Sequence, residues 1–248
     1  MCTASWLIRP DGYELFFNRD ERNERSRAFG PERLQSGDRE AVAPRDADAN
    51  GTWLGVNDLG LTVGILNAWD ASEVIDVEPR SRGLLVRDLL AEPSQEAVRS
   101  RLQNEDLSRY RGFHVLAFEP GREPIGHRWD GRTLASSIVE APICSSSFEG
   151  AAVRTERRRQ FEDLRKRHEE GSSVQLGELL ELYHASHYPE RGPYSVCMHR
   201  DDASTVSCTH IDVRAGAARM RYTDGPQCEN EFGEPIWLPL RTEETANP

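Results

Sequence analysis

The residues best suited to chemistry stand at the beginning of the chain. Cys2 opens a run of strand-forming residues, and a second such run follows the turn sequence Arg9–Gly12 (R-P-D-G). If these four residues form the turn of a β-hairpin, Ile8 pairs with Tyr13 and Cys2 pairs with Arg19. Directly paired residues lie on the same face of a sheet, with Cβ atoms ~5 Å apart. The spacing therefore predicts a thiol next to a guanidinium group.

Position 2 matters because methionine aminopeptidase removes Met1 when the next residue is small. Cys2 would then carry both a thiol and a free α-amine, and an α-amine has a pKa of ~7.7–8.0, close enough to neutrality for a general base. Enzymes with an N-terminal nucleophile use this arrangement. Arg19 would favour the thiolate by its charge. The alternative is that Cys2 is a small apolar residue beginning a strand, since free cysteine is among the most buried residue types.

Composition limits the classes of function. The chain has 248 residues, a net charge of −11 and five cysteines. This acidity disfavours a nucleic-acid partner, and the odd number of cysteines without a CxxC pair fits free thiols in a reducing compartment. Neither a signal peptide nor an apolar run of ~20 residues is visible. We expect a cytoplasmic protein with no membrane span, and the oligomeric state is left open.

Hydrophobic patterning predicts strands and helices in alternating groups within a single domain over residues 1–248, with a long loop over 22–50 and an irregular tail over 241–248. Hairpin-linked strands with helices grouped between them indicate an α+β fold. After the first hairpin, the predicted strands are Trp53–Val56, Leu61–Asn67, Phe113–Phe118, Ile125–Trp129, Thr133–Val139, Ile143–Phe148, Tyr194–His199, Thr205–Val213 and Ala217–Tyr222. The predicted helices are Ser81–Leu90, Pro93–Leu102, Arg154–His168 and Leu176–His187.

Several short motifs resemble the NRDE family, which includes the transport and Golgi organisation protein 2 group. Cys2 is followed by Asn18–Glu21 (N-R-D-E), which closes the second strand, and by Gly51–Gly55 (G-T-W-L-G). Arg80–Gly83 (R-S-R-G) and Tyr110–Phe113 (Y-R-G-F) also resemble the family pattern. The likeness spans most of the chain, and its specific motifs lie in the first half.

A more distant resemblance is to the choloylglycine hydrolase and penicillin V acylase group of N-terminal-nucleophile hydrolases. It implies a four-layer αββα sandwich of two mainly antiparallel sheets between helix layers. It also implies Cys2 as nucleophile with its own α-amine as base, Arg19 poising the thiol, and Asp20 holding the amine. Asn67, at a strand end, would be an oxyanion-hole donor; leaving the strand into a turn is its alternative role. We expect the remaining candidate residues to contact substrate; they are Asn18, Glu21, Trp53 and Ser146.

The chain departs from those hydrolases in two places. They carry a further asparagine in a Thr-Asn-Ser-like segment, whereas Cys144–Phe148 (C-S-S-S-F) has none. Their distal arginine has no secure counterpart, with Arg154 and Arg191 as candidates. These differences leave the fold expectation intact but weaken the case for efficient amide hydrolysis.

Two other clusters favour structural interpretations. Cys197, His199, Cys208 and His210 form a zinc-like ligand set if Cys197 pairs with Cys208 across a hairpin. Alternation on two buried strands gives the same pattern, so we expect no metal. The arginine-rich stretch within 154–167 suits a phosphate or coenzyme A tail, but its interleaved acidic residues favour an ordinary solvated helix face.

Two hypotheses follow. The first, which we favour, is an N-terminal cysteine amidohydrolase or acyltransferase that acts on a small non-peptide amide or acyl substrate without a cofactor. The second is a non-catalytic carrier or trafficking protein that uses the same pocket for an acyl, lipid or haem-like ligand.

Overall fold

The computed structural model describes residues 2–71, 78–170 and 174–241. The strands in chain order are β1 (Cys2–Arg9), β2 (Gly12–Arg22), β3 (Phe29–Ser36), β4 (Arg39–Arg45), β5 (Leu54–Asn57), β6 (Thr62–Asn67), β7 (Phe113–Phe118), β8 (Ile125–Trp129), β9 (Leu134–Ile138), β10 (Ile143–Ser145), β11 (Ala203–Arg214), β12 (Ala217–Thr223) and β13 (Ile236–Pro239). The α-helices are α1 (Arg82–Leu89), α2 (Gln95–Asn104), α3 (Gly150–Glu169) and α4 (Leu176–Ala185).

Within these ranges the strands form two antiparallel sheets. The first has the order β10-β1-β2-β11-β12-β13, and the second runs from β3 to β9 in chain order. The sheets pack face to face, as shown by the Phe118 ring, which lies 5.1 Å from the Trp6 ring and 5.4 Å from the Tyr13 ring. Helices α1 and α2 pack against the second sheet, and α3 and α4 against the first. The expected αββα sandwich of an α+β protein is therefore confirmed.

The opening hairpin has the predicted register. Ile8 pairs with Tyr13 and Cys2 pairs with Arg19. Gly12 is required at the turn because a Cβ atom there would lie 1.9 Å from the carbonyl oxygen of Val213 on β11. The turn sequence and the close contact with β11 therefore fix the register of the hairpin, and with it the position of Cys2.

The prediction of a long loop over residues 22–50 is wrong, because this region contains β3 and β4. Strand β3 is the edge of its sheet and exposes most of its side chains, so it lacks the alternation of a half-buried strand. Charged, proline-containing edge strands of this kind resist edge-to-edge association. Strand β4 buries four consecutive residues, which also hides the alternation.

Two predictions near the C-terminal end are also wrong. Tyr194–His199 is not a strand; its backbone oxygens accept hydrogen bonds from side chains, such as that of Asn18 to Val196. Cys208 pairs with Asn18 and Thr223 rather than with Cys197. The chain before the tail forms β13, which was not predicted, and residues 242–248 of the expected tail lie outside the described residues.

Among the described residues, no helix has the length and apolar character needed to cross a membrane.

Candidate active site

Cys2 lies at the start of β1 between two neighbouring strands, opposite Arg19 on β2 and Ser145 on β10. Its side chain belongs to the core between the two sheets and is 8% exposed. Burial and the charge of Asp20 raise the pKa of the Cys2 thiol above its usual value, and a hydrogen bond from the backbone of Asp20 and the charge of Arg19 partly oppose this rise. The thiol therefore lies in a buried place that disfavours its anion, next to two features that stabilise it.

Arg19 is fixed by contacts on three sides. Its Nη2 lies 2.8 Å from Oδ2 of Asp46 and 3.5 Å from Oε2 of Glu21, and its guanidinium carbon lies 4.2 Å from the centre of the Trp53 ring. Asp46 also accepts hydrogen bonds from Arg25, and although burial raises the pKa of Asp46, these bonds bring it below its usual value. Asp46 was not predicted because it follows β4, in the region expected to be a loop.

Asp20 faces the helix layer, on the side of β2 away from Arg19. Its Oδ1 accepts a hydrogen bond of 2.7 Å from the Thr205 hydroxyl, and its Oδ2 lies 3.4 Å from Nη1 of Arg157. The side chains of Asp20 and Arg157 are completely buried. Arg157 also donates a hydrogen bond to the hydroxyl of Thr3, the neighbour of Cys2. Asp20 is therefore one half of a buried ion pair directly behind β1.

Sequence reasoning missed Arg157. Of the two arginines proposed from sequence, Arg154 lines a cavity and Arg191 is on the surface in an ion pair with Glu229. The available signal was helical spacing, since Arg157 lies between Val153 and Phe161 on the stripe of α3 that faces the sheet. The rest of the arginine-rich stretch is mainly exposed, as expected.

A cavity of about 730 Å³ lies beside Cys2. Its wall includes Asn67, Ser145 and Ser146. Cys2 does not itself line the cavity, but its direct partner Ser145 does. The Ser145 hydroxyl is buried and has no hydrogen-bond partner among the described residues. Ser145 therefore places an unpaired hydroxyl at the cavity wall, next to Cys2. It belongs to the segment in which the distant hydrolases carry an asparagine.

The structure brings some predicted site residues together and leaves others apart. Ser146 hydrogen-bonds both ways with the backbone of Phe148 at the cavity wall. Asn18 lies on the helix side of β2, where its amide nitrogen donates to the carbonyl oxygens of His184 and Val196. Glu21 borders a second, smaller cavity of about 310 Å³, together with Arg19. Asn18 and Glu21 are thus separated from the cavity beside Cys2.

Trp53 has a further property besides its contact with Arg19. Its indole nitrogen is buried and has no hydrogen-bond partner among the described residues. Buried indole N–H groups usually have an acceptor. The group is therefore a free donor within the layer between the sheets.

The glycine-containing motifs of the first half of the chain meet at the start of α1. Thr52 donates a backbone hydrogen bond of 2.9 Å to the carbonyl of Gly83. A Cβ atom on Gly51 would lie 2.3 Å from the carbonyl carbon of Gly83, so only glycine allows this approach. Arg82 donates a hydrogen bond of 2.9 Å to the carbonyl of Gly112.

Arg82 contributes a second positive charge near the thiol. Burial and the charge of Arg111 lower the pKa of Arg82 to about 10, while Cys2 and Glu21 raise it. A guanidinium with this pKa remains charged at neutral pH. The Cys2 thiol therefore experiences the positive charge of two side chains, Arg19 on β2 and Arg82 at the start of α1.

The model of one protein family, Transport and Golgi organisation 2, matches residues 1–213. The chain belongs to the Transport and Golgi organisation 2 family. This agrees with the resemblance to the NRDE family, and a comparison with curated protein sequences gives no match.

Solved structures show which fold this family member has. Penicillin V acylase from Agrobacterium tumefaciens matches with a TM-score of 0.51 and 13% identity, over 95% of this chain and 85% of that one. A mutant of conjugated bile acid hydrolase from Clostridium perfringens matches with a TM-score of 0.52 and 14% identity, over 100% and 94%. The Caenorhabditis elegans orthologue of N-acylethanolamine-hydrolyzing acid amidase matches with a TM-score of 0.57 and 12% identity, over 85% and 92%.

Identities this low establish the fold alone. The Transport and Golgi organisation 2 family member therefore has the fold of the N-terminal-nucleophile hydrolases. What its site does must be argued from its own residues.

Proposed function

We propose that the protein is an N-terminal cysteine amidohydrolase or acyltransferase for a small non-peptide amide or acyl substrate. Removal of Met1 exposes the α-amine of Cys2, and the Cys2 thiol is the nucleophile. The observation that carries this proposal is the placement of Cys2 opposite Arg19 and opposite Ser145, which lines a cavity of about 730 Å³.

The proposed reaction begins with proton transfer from the Cys2 thiol to its own α-amine. The thiolate attacks the substrate carbonyl, forming a C–S bond, and Asn67 and the Ser145 hydroxyl donate hydrogen bonds to the oxyanion. Collapse of this intermediate breaks the C–N bond, and the protonated α-amine gives its proton to the leaving nitrogen. Water, or another acceptor in a transferase, then attacks the thioester and releases the acyl group.

Arg19 and Asp20 support this reaction without touching the carbonyl. Arg19 lowers the pKa of the thiol by its charge. Asp20, held by Thr205 and Arg157, supplies a fixed negative charge for the α-amine. The rigid anchoring of both groups keeps the thiol and the amine in one geometry.

The lining of the cavity supports an acyl substrate with an anionic part. Trp69, Pro142 and Ile143 provide apolar surface. The cationic side chains of α3 outnumber the acidic side chains of the lining; they are Arg154, Arg158 and Arg159 against Asp70 and Glu162. Apolar walls with a few charged groups are typical of small-molecule sites.

The carrier hypothesis remains the second candidate, and two observations favour it. Burial raises the pKa of Cys2, and the segment Cys144–Phe148 lacks the asparagine of the distant hydrolases. A carrier would bind an acyl, lipid or haem-like ligand in the same cavity without turnover.

The test measures turnover of a panel of small acyl amides and thioesters by wild type, Cys2→Ala and Cys208→Ala. Alanine at position 2 still permits removal of Met1, so this variant loses only the thiol. Cys208 is a matched control because it is a buried cysteine on the helix side of the first sheet. We expect Cys2→Ala to lose at least about a thousandfold in turnover and Cys208→Ala to retain it. Equal turnover by wild type and Cys2→Ala would contradict the proposal, and stoichiometric binding without turnover would favour the carrier.

A further inference from the structure

Four side chains that suit a metal ion meet outside the candidate active site. His187 follows the end of α4, Cys197 and His199 belong to the irregular segment before β11, and Cys228 lies in the connection between β12 and β13. One potential ligand atom from each residue lies within 4.8 Å of all the others. His187 and Cys228 lie 10 and 31 positions from Cys197, so the fold itself brings the four residues together.

The spacing of three of the ligand atoms is close to that of a tetrahedral site. The Sγ atoms of Cys197 and Cys228 are 3.4 Å apart, and Nε2 of His199 lies 3.6 Å from the first and 3.3 Å from the second. In a tetrahedral zinc site, Zn–S distances of about 2.3 Å and Zn–N distances of about 2.0–2.1 Å place neighbouring ligand atoms about 3.3–3.8 Å apart. The two N–S distances are close to the roughly 3.6 Å expected for a nitrogen and a sulfur ligand, and Zn²⁺ would widen the S–S distance to about 3.8 Å.

His187 supplies the second, independent observation. Its Nε2 is buried and has no hydrogen-bond partner among the described residues, although its ring centre lies only 5.0 Å from that of His199. Leaving a buried polar atom without a partner destabilises the folded state. A metal ion held by the two thiolates and His199 would give this nitrogen its partner.

We propose that His187, Cys197, His199 and Cys228 form a zinc site. Two thiolates and two imidazoles are a common set for Zn²⁺, and four protein ligands fill a tetrahedral shell. With no position left for water or substrate, the site is structural rather than catalytic. It differs from the set suggested by the sequence, because Cys208 and His210 are replaced by Cys228 and His187.

The side chain of His199 presents its Nε2 atom to the two thiols. Nη2 of Arg191 lies 3.3 Å from Nδ1 of His199, so Nε2 is the atom that faces the thiols. Zn²⁺ on Nε2 leaves the ring proton on Nδ1. Arg191 would then give up its contact with Nδ1 and keep its ion pair with Glu229.

The site would hold the segment that supports the buried ion pair. The carbonyl oxygens of Pro193 and Tyr194 accept hydrogen bonds from Arg157, and that of Val196 accepts one from Asn18. All three carbonyls lie between His187 and His199, two of the proposed ligands. Zinc would thus add to the few backbone hydrogen bonds that hold this irregular stretch, such as that from Thr205 to the carbonyl of Met198.

The test is the metal content of the purified, reduced full-length protein. We expect about one Zn²⁺ per chain, and replacement by Co²⁺ should give the visible bands of a tetrahedral site with two thiolates. His187→Gln and Cys228→Ser should each lose most of the metal. Cys208→Ala and His168→Gln, which remove a cysteine and a histidine outside the cluster, should retain it. A chelator should lower the melting temperature of wild type more than that of Cys228→Ser.

Three results would overturn the zinc site. They are wild-type protein without Zn²⁺ or Co²⁺ binding, full metal content in both ligand variants, and a disulfide between Cys197 and Cys228 in protein isolated without reductant. Metal content is measured without substrate, so this outcome does not depend on the proposed activity of Cys2.

Discussion

At the scale of single residues, the pairing of Cys2 with Arg19 carries the account. It followed from the sequence because the turn Arg9–Gly12 is a local signal that sets the register of the whole hairpin. The partners of Arg19 could not be predicted from the sequence, because Asp46 follows β4, a strand of the other sheet. Such long-range contacts leave little trace in the pattern of a single sequence.

The charge of Arg19 should be measurable in the reactivity of the thiol. Arg19 lowers the pKa of Cys2, so Arg19→Gln should shift the alkylation of Cys2 to higher pH. The measurement is the rate of iodoacetamide labelling at position 2 as a function of pH, with the exposed Arg22→Gln as control. An unchanged pH profile in Arg19→Gln would show that the thiol does not sense this guanidinium.

The buried ion pair should matter for stability. Removing one member of such a pair costs about 3–5 kcal/mol because the other charge stays buried, so Arg157→Leu should lower the free energy of unfolding by that amount. Arg165→Gln, on the exposed side of the same helix, should change it by less than about 0.5 kcal/mol. Urea denaturation checks both variants. Equal stability of Arg157→Leu and wild type would mean that Asp20 does not depend on Arg157.

At the scale of elements, most helices and central strands could be predicted because turn residues, caps and alternation are local. Ser94, for example, caps α2 as expected, with its hydroxyl accepting from the backbone of Ala97.

The predictions that failed did so for physical reasons. The edge strand β3 is exposed and charged, whereas the backbone of Tyr194–His199 is held by side chains from other elements. At the site, Arg157 was missed because its burial depends on the ion pair with Asp20, which is 137 positions away in the sequence.

The contact between β5 and α1 makes a prediction at this scale. A methyl group on Gly51 would collide with the backbone of Gly83, so Gly51→Ala should destabilise the protein by about 1–3 kcal/mol and displace Arg82. Gly192→Ala is the matched control, because a Cβ there meets nothing within 4 Å. Thermal unfolding of both variants gives the comparison. Equal melting temperatures would mean that α1 adjusts without cost.

At the scale of the whole molecule, buried histidines should set the acid limit of stability. Burial lowers the pKa of His184 to about 3 and that of His114 and His127 to about 4. The unfolded chain takes up these protons near pH ~6.5, while the folded state does not. Stability should therefore fall as pH drops below about 6.5, by up to about 1.4 kcal/mol per pH unit for each histidine.

Urea unfolding between pH 7 and pH 5 measures this slope, above the range in which most carboxyl groups titrate. His127→Gln should give a shallower dependence, because one group that is neutral when folded has been removed. A free energy of unfolding that stays constant over this range would contradict the prediction.

The molecule has the fold of the N-terminal-nucleophile hydrolases, and the central claim is the proposal that Cys2 is its nucleophile. The most direct test is the intact mass of protein quenched in acid during reaction with an acyl amide, followed by peptide mapping. The account predicts a chain that begins at Cys2 and carries one acyl group on that residue. A chain that retains Met1, or an acyl group absent from Cys2 while substrate is turned over, would contradict it.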